Sequence, residues 1–213
     1  MANRRGILVG GGAFGRELLS WSEDSSSSLG ETLDFIGFLD KDRAALSGFE
    51  DLKLTWMGDP RSYTPVTGDV FLMAVGDPTT KEELFDALAE LGGEFATVVH
   101  PTAVIARTAK LGRGVVVGPQ SYIATHSVLH DGVCINSLTG IGHDAVVGAH
   151  TTISSQVDVT GRVSVGTRVF VGSGARILPN VTIGEDAKIG AGAVVVRNVK
   201  PSSTVFAQPA RIM

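Results

Sequence analysis

From Ile105 to Val195 the chain places an aliphatic side chain at every sixth residue: Ile105, Leu111, Val117, Ile123, Leu129, Ile135, Ile141, Val147, Ile153, Val159, Val165, Val171, Ile177, Ile183, Ile189 and Val195. The register never slips. The residue that follows is usually small, as at Gly112, Gly118, Gly142, Gly166, Gly172, Gly184 and Gly190. Three positions further on stands a small residue or a valine, as at Ala109, Val115, Ala145, Val157 and Ala187. A period of six fits neither the 3.6 of a helix nor the alternation of an isolated strand. It predicts a parallel β-helix in which each hexapeptide forms one short side of a triangular coil, with the aliphatic residue pointing inward and the small ones letting the backbone turn. Three hexapeptides close a coil, so residues eighteen apart stack, and the run makes about five coils.

The first hundred residues follow another rhythm. Arg5 to Val9 reads as a short apolar strand, Gly10-Gly11-Gly12-Ala13-Phe14-Gly15 as a glycine loop, and Arg16 to Trp21 as a helix. Four serines, 25 to 28, are expected in a flexible loop before the strand Asp34–Leu39, which ends in Asp40-Lys41-Asp42. Val70 to Val75 is a continuous apolar run, hence a strand buried on both faces, and it opens into Gly76-Asp77-Pro78. Lys81 to Leu91 carries Leu84, Leu88 and Leu91 at helical spacing, and Phe95 to Val99 makes one more strand. Such alternation predicts a small Rossmann-like parallel α/β domain over residues 1–100, joined at a His100-Pro101 hinge to the β-helix and tail of residues 101–213.

Strand, glycine turn, helix is the setting of a phosphate-binding loop, because glycines let the backbone approach closely and a helix N-terminus favours an anion. The spacing Gly10-x-Gly12-x-x-Gly15 satisfies the dinucleotide fingerprint, although a tight strand-to-helix turn also asks for glycines on steric grounds alone. Asp40, ending its strand, stands where ribose or base contacts are made, and the loop Gly76-Asp77 lies at the ligand-binding end of the sheet. Within the repeat, the informative residues are those it does not ask for. His126, His130, His143 and His150 cluster in the early coils. His143 stands in Gly140-Ile141-Gly142-His143-Asp144, with an acid directly after it. The pair is either a general base with its orienting carboxylate or two solvated corner residues.

Composition narrows the field. The chain of 213 residues has 18 Lys plus Arg against 22 Asp plus Glu, a net charge of -4 that argues against a protein held on nucleic acid by bulk charge. The single Cys134 excludes an internal disulfide framework and suits a reducing compartment. No apolar run approaches the roughly 20 residues of a membrane span, and the N-terminus lacks the pattern of a signal peptide. A soluble, cytoplasmic protein is expected.

The hexapeptide run, the glycine loop, the His100-Pro101 hinge and the ending Gln208-Pro209-Ala210-Arg211-Ile212-Met213 together resemble, over essentially the whole chain, the sugar acetyltransferases of the NeuD/PglD type. The resemblance implies a left-handed β-helix and a homotrimer with active sites between neighbouring β-helices. It also implies acetyl-CoA as acyl donor, and a nucleotide-linked amino sugar of bacterial glycan biosynthesis as acceptor. On it, His143 is the catalytic base and Asp144 its acidic partner, where the family commonly has Glu. Gly161, eighteen residues after His143, supplies the backbone N–H that meets the thioester carbonyl. Ser173 and Ala191 hold the pantetheine arm, Arg211 meets CoA phosphate, and Asn136 stands at the inter-subunit cleft. Gly10, Gly11, Gly12, Phe14, Asp40, Gly76 and Asp77 fall to the nucleotide sugar, and no metal is expected. Two residues depart from the family pattern. Thr152 replaces a second active-site histidine found in many members, and Phe14 replaces a loop histidine, with Ala13 beside it where a glycine is common.

Three other readings compete. The same fold and dyad could acetylate a sugar hydroxyl, as in sialic acid O-acetylation. A zinc enzyme on this scaffold is suggested by the four histidines, but spacings of 4, 13 and 7 do not bring three onto one stacked column. A non-catalytic nucleotide sensor conflicts with the agreement of His143, Asp144 and Gly161 with the coil spacing.

Overall fold

The computed structural model describes residues 4–29 and 33–208. The N-terminal part is a five-stranded parallel sheet of β1 (Arg5–Val9), β2 (Asp34–Leu39), β3 (Thr55–Gly58), β4 (Asp69–Met73) and β5 (Glu94–Phe95), in the order β3-β2-β1-β4-β5. Two helices cover it, α1 (Ala13–Leu29) and α2 (Pro78–Glu90). Because side chains alternate along a strand, β1 feeds both faces: Leu8 packs with Leu18 and Trp21 of α1, while Ile7 and Val9 pack with Leu84, Phe85 and Leu88 of α2. β4 is buried at every residue, as its unbroken apolar run predicts.

Sequence expectation and structure differ here in three places. Ser25 to Ser28, expected in a loop, continue α1 to Leu29, since a helix already nucleated gains one hydrogen bond for each residue added. β3 has no helix before or after it, only a short 3-10 turn at Glu50–Leu52, so nothing in the spacing marked it. His100-Pro101 is not a linker ahead of the β-helix. Val98–Val99 already pairs with Val116–Val117, and residues 101–102 form the first corner of the solenoid.

Two-residue strands stack into three parallel faces with the eighteen-residue register expected. The first face starts at Val98–Val99 and has seven strands; the second, from Val104–Ile105, has six; the third, from Lys110–Leu111, has five. The sixfold aliphatics fill the prism, with Ile123, Ile135, Ile141, Val147, Ile153 and Val159 fully enclosed. The residues four places after them, among them Val115, Val133, Ala145, Val157 and Ala187, are buried in the same core. Their small size thus follows from the narrow space inside each corner as well as from the need to turn.

Each corner is a two-residue turn, and from 113–114 to 191–192 its second residue has a left-handed backbone, glycine at some levels but Gln120, Asp144, Gln156 and Arg162 at others. The corners line up as three edges. Turns 101–102 to 191–192 lie between the first and second faces, 107–108 to 179–180 between the second and third, and 113–114 to 185–186 between the third and first.

The α/β domain sits on the first face and the third edge. Trp21 of α1 joins a buried cluster with Val98, Val116 and Cys134. From α2, Lys81 Nζ donates to Thr152 Oγ1 at 2.8 Å and to the Thr151 carbonyl at 3.2 Å. Glu82 pairs with Arg168 at 2.8 Å, and Phe85 meets the His150 ring edge-on at 5.1 Å. This placement leaves the edge between the second and third faces on the opposite side of the prism.

Candidate functional site

That opposite edge carries His143 and Asp144. Neighbouring residues of a strand point to opposite faces, but Asp144 takes the left-handed corner conformation, φ 60°, and the turn brings both side chains together. His143 Nδ1 and Asp144 Oδ2 are 2.8 Å apart. Asp144 is held below the ordinary carboxylate range, first by this hydrogen bond from His143 and further by the nearby charges of His143, His126 and Arg162, against a smaller opposing effect of burial. With Asp144 ionised, Nδ1 carries the imidazole proton and donates it, which leaves Nε2 as the acceptor. Both side chains are about half exposed, 54% and 52%.

Nε2 faces Gly161 on the next coil. A methyl group at Gly161 would stand 2.5 Å from it, so this position accommodates the ring only as glycine. The Gly161 N–H has no acceptor among the described residues. His143, Asp144 and Gly161 are therefore brought together as the coil spacing predicts: an oriented imidazole beside a backbone N–H without an acceptor among the described residues. The other histidines are dispersed. His126 lies one coil below on the same edge, while His150 is buried under α2 on the third edge, where burial depresses its pKa. Thr152 is also buried under α2, bonded to Lys81 and away from the dyad.

Asn136, Ser173 and Ala191 lie at the edge between the first and second faces. Ser173 and Ala191 occupy successive levels, each followed by a glycine of positive φ, Gly174 and Gly192. Lower on this edge the corresponding residues are Gln120, Leu138 and Gln156, so the upper coils present a smoother strip of backbone. The second face separates this strip from His143 in the same chain. Arg211 lies outside the described residues.

A third group surrounds the glycine loop. Gly10 has φ 104° and passes so close to β4 that a Cβ would meet the Ala74 carbonyl at 2.9 Å; one at Gly15 would meet the Gly10 carbonyl at 2.3 Å. Gly12 has open space beside it, at the start of α1, where first-turn N–H groups lack helical acceptors. A crevice of about 220 Å³ opens at the carboxyl ends of the strands, lined by Gly10, Asp40, Lys41, Arg61, Val75 and Thr80 among others. A larger hollow of about 640 Å³ lies along residues 38–56 and includes none of the glycine loop.

Three expected ligand contacts have structural duties here. Asp40 accepts from the N–H groups of Gly11 at 2.8 Å and Asp42 at 2.9 Å, so it ties the loop to the end of β2. Asp77 caps α2, accepting from Thr80 N–H at 2.9 Å and its hydroxyl at 2.8 Å, and these bonds hold its carboxyl below the usual range. The Phe14 ring packs edge-on against Trp21, 6.2 Å between centroids. Gly76 adjoins the cap in open space. Lys41, Arg61 and Thr80, which the sequence did not single out, bring two cations and a hydroxyl to the crevice.

The chain is similar to several known proteins. Residues 162–197 match the bacterial transferase hexapeptide (six repeats) family. A UDP-N-acetylbacillosamine N-acetyltransferase of Bacillus subtilis (strain 168) is 30% identical over 117 residues, 52% of this chain; the match spans about half of that protein, 49% of its length. PerB from Caulobacter crescentus, solved with CoA and GDP-perosamine, is 31% identical, with 98% of this chain and 97% of that chain covered at a TM-score of 0.81. The acetyltransferase domain of PglB from Neisseria gonorrhoeae, solved with acetyl coenzyme A, is 27% identical over all of both chains at a TM-score of 0.82.

Proposed function

The chain belongs to the NeuD/PglD-type sugar acetyltransferases with a left-handed β-helix, and from that premise we propose that it acetylates the amino group of a nucleotide-linked sugar with acetyl-CoA. The observation that carries this reading is His143, oriented by Asp144 at 2.8 Å and poised over Gly161.

The chemistry follows from that arrangement. The acceptor amine attacks the thioester carbonyl carbon as His143 Nε2 takes a proton from the nitrogen. Gly161 N–H donates to the oxyanion of the tetrahedral intermediate, a donor placed where charge develops. The C–S bond then breaks, and the proton passes from His143 to the departing sulfur, giving amide and free thiol. No acyl-enzyme is required, since holding donor and acceptor together supplies much of the rate.

The glycine-loop crevice, with Lys41 and Arg61, fits a nucleotide diphosphate. The strip at Ser173 and Ala191 fits the thin pantetheine arm. Because crevice and dyad lie on opposite sides of one prism, the site is completed between copies of the chain, which accords with a homotrimer. Use of acetyl-CoA together with a lone, buried cysteine fits the cytoplasm. Among the described residues no helix is long and apolar enough to cross a membrane.

The direct test is thiol release from acetyl-CoA against a panel of nucleotide-linked sugars, each bearing either an amine or a hydroxyl at the same carbon. Release with amino sugars alone is expected. Release with hydroxyl acceptors alone would move the enzyme to O-acetylation, and silence with every acceptor would reject the acetyltransferase reading.

A further inference from the structure

The outward positions of the first face change character along the stack. Val98, Val116, Cys134 and Thr152 are buried beneath the α/β domain, whereas the next two rungs, Phe170 and Lys188, emerge from under it. Where they emerge, a cavity of about 500 Å³ opens between them and the first turn of α2. The Phe170 ring, 36% exposed, lines it, together with Asp77, Thr79, Lys188 and the Arg168–Asp186 ion pair.

The polar groups divide into spent and unspent. Arg168 is engaged with Asp186 and Glu82. Asp77 uses Oδ1 to cap α2, while its Oδ2, the Thr79 hydroxyl and the Lys188 ammonium have no hydrogen-bond partner among the described residues. An exposed aromatic ring beside unspent donors and acceptors matches a hexopyranose, whose C–H face packs on a ring while its rim needs both kinds of partner. The Asp77 carboxylate and the Lys188 ammonium, near enough for the lysine's charge to help lower the Asp77 pKa, make a balanced lining. It suits a neutral sugar or an amino sugar better than a carboxylated one.

Position supports the same occupant. Thr80 lines the glycine-loop crevice, and Asp77, Pro78 and Thr79 line this cavity, so a single helical turn stands between the two. We propose that this cavity is the sugar subsite, with Phe170 as the platform under the ring and Asp77, Thr79 and Lys188 as the rim that selects among sugars. The inference rests on the acetyltransferase reading and adds where the acceptor ring sits.

The test uses GDP-perosamine and a UDP-linked 4-amino sugar as acceptors in the thiol-release assay, with calorimetric binding of GDP and UDP alongside. For whichever acceptor turns over, Phe170→Ala is expected to raise its KM about tenfold, with KM for acetyl-CoA and Kd for the free diphosphate changed less than about twofold. Phe170→Trp should restore most of the loss. Lys188→Met should raise the acceptor KM by a smaller factor. An unchanged acceptor KM in Phe170→Ala overturns the subsite. A rise confined to acetyl-CoA assigns the cavity to the donor and overturns it equally. Absence of thiol release by the unaltered enzyme is a separate outcome, which rejects the acetyltransferase reading and the subsite with it.

Discussion

His143 and Asp144 meet because the corner between them reverses the usual divergence of neighbouring side chains, and Gly161 admits the ring because it has none of its own. These residues separate chemistry from folding. His143 is exposed and outside the core, so His143→Ala should leave oligomeric state and melting temperature unchanged while reducing kcat by roughly 100-fold or more. Near-normal turnover would remove it from the mechanism. Gly161→Ala tests the geometry without touching the base. Gly161 has no positive φ, so alanine strains no backbone, yet its methyl would displace the imidazole. A fall in kcat of roughly 10-fold to 100-fold is expected with the stability of the parent protein. Gly142→Ala is the contrast: its methyl would meet backbone, the Gly161 nitrogen at 2.5 Å, and should lower the melting temperature as well as activity. Equal stability losses in the two variants would show that Gly161 serves packing rather than the ring.

At the scale of elements, legibility tracks repetition and composition. The solenoid strands could be read because every coil repeats the same demand, an aliphatic residue inward and a small one at the corner, so Ile105 to Val195 determines face and register together. β3 had no such support: Thr55-Trp56-Met57-Gly58 is short and only partly buried, and Arg61 beyond it was missed with it. The capping duty of Asp77 was present in Asp77-Pro78-Thr79-Thr80, a cap with proline at the first helical position, beside the ligand-binding reading that its place at the end of the sheet suggests. Least legible was the docking of α2. Lys81 lies on a helix whose exposed residues look alike in sequence, yet the fold buries it against Thr151 and Thr152, and burial lowers its pKa to about 8. The sign follows from proton counting. Between about pH 8 and the unfolded value of 10.5 the unfolded chain binds the proton and the native one does not, so stability rises with pH through that window. Below it, the native state carries the full cost of burying the ammonium. Relative to Lys81→Met, which titrates nothing here, the parent protein should therefore gain on the order of 3 kcal/mol across the window. Urea unfolding of both proteins from pH 7 to pH 10 measures the difference. A constant difference would mean that the ammonium is solvated or paired in the native protein.

The molecule as a whole separates what a single-chain reaction would have to unite. The α/β domain, with its glycine loop, covers the first face of the prism, and His143 stands on the edge opposite. On the proposed function, a substrate gripped by one chain's crevice meets a histidine on another copy, which makes the arrangement testable by mixing defects. His143→Ala removes the base and leaves the crevice. Gly12→Asp does the reverse: Gly12 has open space around it, so the fold tolerates the side chain, while a carboxylate at the start of α1 repels phosphate. Each variant alone should be inactive. If both are unfolded together and reassembled as cyclic trimers in equal amounts, about three quarters of the trimers contain both kinds of subunit. Every mixed ring has one junction at which an intact crevice precedes an intact histidine, so recovery of about a quarter of the parent activity is expected. Recovery near zero, with mixed trimers verified by mass, would place crevice and base in the same subunit. It would also require the α/β domain to leave the first face during turnover, releasing the contacts of Lys81 and Arg168 that hold α2 there.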